Sequence, residues 1–250
     1  MAECMKCGGV GGADSIGGWE TPPVADDVRF AQMADGREIA YRVLSEHDGP
    51  VIVHTHASTS PIEILDEDPM YDRFLRTLGR YGRVVVFDKP GSGASDPFDR
   101  ERDYFDQTVD AFLAVLDAVD AAAGWLVGVQ AWEAARLAGE HPGRLSGAVL
   151  LDPTAPNTAP PFDVRKALTE RDYDSAAVLA PSRVDDPVFI AWLRRAKRMG
   201  ASGADARDYG RALRAASERS VAEVDPVTDA PPVLLLHRRD YQDVAHQEYW

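Results

Sequence analysis

Val84-Val85-Val86-Phe87-Asp88-Lys89-Pro90-Gly91-Ser92-Gly93-Ala94-Ser95-Asp96 joins a short apolar run to a polar loop carrying a proline and two glycines. A continuous apolar run bounded by turn residues reads as a strand covered on both faces, as in a parallel sheet. Gly91 and Gly93 permit backbone angles that other residues avoid, so the chain can turn sharply once the strand ends. Gly91-Ser92-Gly93 is not read as a phosphate loop. The Gly-Lys-Ser/Thr ending is absent, and acidic neighbours would repel phosphate.

Similar apolar runs lie on either side: Val51-Ile52-Val53-His54, Trp125-Leu126-Val127, Ala148-Val149-Leu150-Leu151 and Val233-Leu234-Leu235-Leu236. All are read as strands of the same sheet, buried on both faces. Upstream, alternating runs from Val28 to Met33 and Glu38 to Leu44 flank Ala34-Asp35-Gly36-Arg37, a hairpin with Asp-Gly in its turn. Val109, Phe112, Leu113, Leu116 and Val119 form one apolar helical stripe between strands. A hairpin leading into alternating strand and helix predicts a mostly parallel, doubly wound α/β sheet. The division expected is a Gly-rich tail over 1–22, a core over 23–153, a helical insertion over 154–230 and a return to the core over 231–250. Within the insertion, helices are predicted around Val188 to Met199 and Asp205 to Ser220, and Phe189, Trp192 and Leu193 are spaced to face the sheet.

The chain has 250 residues, 45% of them hydrophobic, enough to bury a substantial core. A formal net charge of −14 argues against nucleic-acid and anionic-membrane partners. Cys4 and Cys7 are the only cysteines, and one C-x-x-C supplies half of a structural zinc site, so no metal or cofactor is expected. No stretch reads as a signal peptide or membrane span, and a cytoplasmic location is expected. The basic cluster Arg194-Arg195-Ala196-Lys197-Arg198 is read as a solvated face near a helix C-terminus.

Asp66-Glu67-Asp68-Pro69-Met70-Tyr71-Asp72-Arg73-Phe74-Leu75, followed by the run from Val84 to Asp96, resembles the α/β-hydrolase superfamily. In particular it is similar to bacterial hydrolase-like domains found beside adenylate cyclase or helix-turn-helix regulatory domains, which carry E-D-P-x-Y…F-D-K-R-G-x-G-x-S-D. The resemblance extends from near Asp26 to the end of the chain and implies an α/β-hydrolase fold with an N-terminal hairpin and an inserted helical cap. It also implies that the C-terminal strand and helix of relatives are missing, leaving a sheet edge for a homodimer partner or a downstream domain to cover.

Carried across residue by residue, the resemblance shows departures at the catalytic positions. The G-x-S-x-G turn falls on Gly128-Val129-Gln130-Ala131-Trp132, with glutamine in place of the nucleophile and tryptophan in place of the second glycine. A carboxamide has no hydroxyl for a base to deprotonate, which closes the acyl-enzyme route at that atom. The acid of the triad corresponds to Asp240, with Asp243 as the alternative, and the histidine position lies past Trp250. The oxyanion loop corresponds to His54-Thr55-His56-Ala57.

The candidate catalytic residues are therefore His56, Gln130 and Asp240, and the candidate substrate-binding residues are His54, Thr55, His56, Ala57, Gln130, Ala131 and Trp132. His54 and His56 are expected to point apart and so not to share a metal. Ser58, Thr59 and Ser60 read as loop chemistry. Glu133 and Asp152, near the expected pocket mouth, are ascribed to a solvated helix start and loop. The function expected is a degenerate hydrolase-fold protein that binds a small, mostly apolar or ester-like molecule, or acts as a sensor or scaffold. The alternative is an active non-serine hydrolase, lyase or cyclase working through His56, Gln130 and Asp240.

Overall fold

The computed structural model describes residues 28–56, 60–129, 131–151, 153, 176, 180–201, 207–208, 210–211, 215 and 230–236. Seven strands form one sheet in the order β1-β2-β4-β3-β5-β6-β7. They are β1 (Arg29–Gln32), β2 (Glu38–Val43), β3 (Val51–Thr55), β4 (Arg83–Phe87), β5 (Gly124–Gly128), β6 (Leu145–Leu151) and β7 (Val233–Leu236). β2 runs antiparallel to both β1 and β4, and all pairings from β4 to β7 are parallel. The expected hairpin is present, with Gly36 at φ 89° in its turn.

Helices cover both faces. α1 (Pro69–Leu78) packs through Leu75, Phe74 and Tyr71 with Ile52, Val84, Val86 and Val127 on one face. α2 (Tyr104–Ala118) and α3 (Ala131–Glu140) pack with Val53, Val85, Phe87 and Leu126 on the other. Strand pleating produces this division, because neighbouring residues of a strand face opposite ways. Short polar side chains start the helices: Asp68 accepts from the Tyr71 N–H, Asp103 from Phe105 and Asp106, and Asp186 from Val188 and Phe189. Asp186 opens α4 (Pro187–Gly200), which matches the predicted helix around Val188 to Met199.

α4 is fastened to the short 3₁₀ helix Ile62–Glu67 and to the start of α1. Trp192 Nε1 donates to the Ile64 carbonyl at 2.7 Å, and both Arg183 terminal nitrogens reach the buried Asp68 carboxylate, at 2.9 and 2.8 Å. Phe189 and Leu193 are buried and Trp192 stacks on Phe189, and they form a cluster with Ala176, Ala180 and Ile190 that is separate from the two cores on the sheet.

One expectation is overturned. Val233, Leu234 and Leu236 are 50%, 53% and 46% exposed. β7 is apolar like β3 and β4 but ends the strand order among the described residues, and composition alone does not distinguish a central strand from an outer one. The Gly-rich tail and most of 154–230 lie outside the described residues, as do Cys4, Cys7 and Asp152. No helix among the described residues is long and apolar enough to cross a membrane.

Candidate functional site

The strand order marks a candidate site. β3 leads through α1 to β4 on one side, whereas β5 leads through α3 to β6 on the other. Connections that depart in opposite directions from adjacent parallel strands make the switch point beyond whose carboxyl ends open α/β sheets place their ligands. Here that point lies between His54-Thr55-His56, at the end of β3, and Gly128-Val129, at the end of β5, with Thr55 opposite Gly128 in register. Ala131 and Trp132 open α3 directly beyond. Ala57, Gln130 and Asp240 lie outside the described residues. His54 and Thr55 are strand residues, so the loop after β3 begins at His56.

On the α1 face, His54 is buried and both of its ring nitrogens are engaged. Nδ1 lies 2.8 Å from the Val127 carbonyl and Nε2 lies 2.6 Å from the Tyr71 hydroxyl. A carbonyl can only accept, so Nδ1 carries the proton and Nε2 accepts from Tyr71. Burial pushes the His54 pKa down to about 4, against the pull of the Val127 carbonyl and with a further push from the Lys89 charge. Burial likewise raises the Tyr71 hydroxyl above its usual range.

His56 is held well below its ordinary pKa by burial, and then by His54 and Lys89. Its Nε2 lies 3.9 Å from Asp88 Oδ1, and its buried Nδ1 has no partner. Burial pushes Asp88 up to about 6, although N–H groups of Ala94 and Ile62 donate to its carboxylate and oppose the shift. Gly91 and Gly93 take φ values of 79° and 53° in this loop, and a Cβ at Gly93 would overlap the Asp88 carboxylate. The expected divergence of His54 and His56 does not occur: residues two apart on a strand share a face, and the ring centroids are 6.4 Å apart. Tyr71 and Val127 occupy the nitrogens that His54 would offer a metal. No three His, Cys, Asp or Glu side chains group as metal ligands among the described residues.

The opposite face carries a second polar group. Lys89 Nζ donates to Glu133 Oε1 at 3.1 Å, and the two side chains are 1% and 3% exposed. Glu133 Oε2 and Thr55 Oγ1 are buried without a partner. The reading of Glu133 as a solvated helix-start residue is therefore corrected. An acidic residue in the first turn suits the α3 dipole, but this one is turned into the protein against a lysine 44 positions earlier. Trp132 is also buried, with its ring stacked near Phe105 of α2 at 6.3 Å.

No family model matches the chain, and no curated protein matches it by sequence. Solved structures do match. The Burkholderia xenovorans LB400 enol-lactonase superposes with a TM-score of 0.61 at 19% identity, covering 84% of this chain and 80% of that one. The bottromycin epimerase BotH, in complex with bottromycin A2, gives 0.63 at 20% identity, covering 89% and 85%. The N-acyl homoserine lactonase AidH, as a mutant complexed with N-hexanoyl homoserine, gives 0.59 at 17% identity, covering 86% and 79%. The chain has the α/β-hydrolase fold.

Within the α/β-hydrolase fold, the residues at these strand ends include several that sequence reasoning missed. Tyr71, Asp88 and Lys89 stand in the sequence only as members of the stretches that carry the resemblance. No local signal pairs Tyr71 with His54 or Lys89 with Glu133, since each partnership is made by the order of the strands.

Proposed function

We propose that this α/β-hydrolase-fold protein lacks serine chemistry and binds a small, mostly apolar molecule at the ends of β3 and β5, beneath a helical cap that includes α4. The observation that carries this reading is the state of His54, which pairs with Val127 near the end of β5. His54 is buried and neutral, and both ring nitrogens are already bonded. It has no free nitrogen with which to activate a hydroxyl, and residue 130 offers none to activate.

A second reading, a non-serine hydrolase, lyase or cyclase, is favoured by one feature. His56 stands 3.9 Å from Asp88 with a free Nδ1, and a neutral imidazole can take a proton. On this reading His56 acts as base, while Gln130 and Asp240 hold the substrate. The fold also hosts chemistry other than hydrolysis, since one of its similar structures is an epimerase.

Hydrolysis of short p-nitrophenyl esters and thioesters, run beside a thermal-shift ligand screen, separates the readings. Binding predicts saturable stabilisation without turnover in the native chain or in Gln130→Ser. Turnover that disappears in His56→Ala overturns it in favour of the enzyme.

A further inference from the structure

Lys89 and Glu133 form a buried ion pair with unused hydrogen-bonding capacity on both partners. An ammonium has three N–H donors, and among the described residues Lys89 directs a single hydrogen bond, to Glu133 Oε1. A carboxylate offers two oxygens, and Glu133 Oε2, fully buried, accepts nothing. Leaving such a group unsatisfied costs about 1–3 kcal/mol, more when it is charged, so its persistence calls for a partner that is sometimes present. Thr55 Oγ1 is unpartnered too. It lies on the same sheet face, since it alternates with Val53, which packs against the α2 and α3 side. The three residues come from the end of β3, the loop after β4 and the first turn of α3.

We infer that the Lys89–Glu133 pair is a polar subsite for a neutral amide-type group of the ligand, its carbonyl accepting from Lys89 and its N–H donating to Glu133 Oε2. This rests on the reading of the strand ends as a ligand site, and it specifies the ligand's head group. The charge balance selects the class. The pair sums to zero, so a carboxylate or an amine gains no net attraction from it while losing its own hydration. An ester carbonyl satisfies Lys89 but leaves Glu133 Oε2 unmatched. An amide presents acceptor and donor side by side, which is the complement of what the pair leaves open.

The probes are four six-carbon compounds, hexanamide, methyl hexanoate, hexanoate and hexylamine, titrated into the native chain with Tm and calorimetric affinity as readouts. Hexanamide is expected to raise Tm saturably and to bind about tenfold more tightly than methyl hexanoate, with the two ions weaker still. The Lys89→Met/Glu133→Leu double variant removes the pair without stranding a charge and is expected to fold. It should lose the preference for hexanamide over methyl hexanoate.

Equal binding of hexanamide and methyl hexanoate by the native chain, or a preference that survives in the double variant, overturns the inference and leaves the ligand site standing. An ordered water serving Glu133 Oε2 alone would give the first of these results. If none of the four compounds binds, the reading of the strand ends as a site for small apolar molecules falls together with the subsite.

Discussion

The two faces of the sheet end in polar groups of opposite character. On the α1 face, His54 is bonded at both nitrogens, to the Val127 carbonyl and to Tyr71, which rises from a helix whose N-cap, Asp68, is clasped by Arg183. On the α3 face, Lys89 and Glu133 hold each other by one hydrogen bond and leave a carboxylate oxygen bare, with the Thr55 hydroxyl bare on the same side. Both groups are buried, so exposure does not separate them. What separates them is satisfaction. A polar network with its valences filled rigidifies a fold, whereas one with valences open is ready to meet something else.

The largest effect is expected where the open pair is cut on one side. Lys89→Ala strands the Glu133 carboxylate and should cost about 3–5 kcal/mol in denaturant unfolding. The Lys89→Met/Glu133→Leu double variant should be near neutral. A double variant as unstable as the single one would make the pair structural, and the contrast between the faces would disappear.

The next effect is a pH dependence. The folded-state pKa of His54 is lowered from 6.5 to about 4, so the unfolded chain binds the extra proton first, and stability present above about pH 6.5 is lost as pH falls toward 4. His56 acts in the same direction. Asp88, raised from 3.8 to about 6, works against them, because the folded chain takes up its proton first and gains stability over part of that window. Between pH 6.5 and 4, His54→Phe should therefore flatten the loss by roughly 3 kcal/mol, and Asp88→Asn should steepen it. Unfolding free energies measured across that range check both signs.

Tyr71→Phe removes one bond from the filled network and leaves His54 Nε2 unsatisfied, an expected loss of about 1–2 kcal/mol in the same unfolding assay. It should leave the affinity for hexanamide unchanged, since Tyr71 and the Lys89–Glu133 pair lie on opposite faces of the sheet. The smallest effect belongs to an exposed pair. Arg195 and Glu67 meet at 2.5 Å with side chains 48% and 40% exposed, and Arg195→Ala should cost under about 1 kcal/mol. A cost rivalling that of Lys89→Ala would show that the attachment of α4 matters more to stability than the buried pair.

Much of the fold was legible because its cues are local. Asp35-Gly36 marks the hairpin, the stripe from Val109 to Val119 marks α2, and Gly91 and Gly93 adopt the positive φ their loop requires. The site was legible only in part. The strands whose ends frame the candidate site, β3 and β5, were legible, but the reading of Glu133 failed because an acidic helix start looks the same whether it faces water or a lysine. The burial expected of β7 failed in the same way, since an apolar run does not announce how many neighbours it will have.

By itself the sequence determined which segments become strands and helices, where the chain turns, and that residue 130 carries a carboxamide instead of a hydroxyl. Each of these depends on residues a few positions apart, and backbone sterics and side-chain chemistry settle them locally. The tertiary structure alone decided that β3 lies between β4 and β5, that Tyr71 holds His54 across 17 positions, and that Arg183 clasps Asp68 across 115. Those partnerships arise from strand order and from the face each side chain takes, which exist only once the sheet has formed.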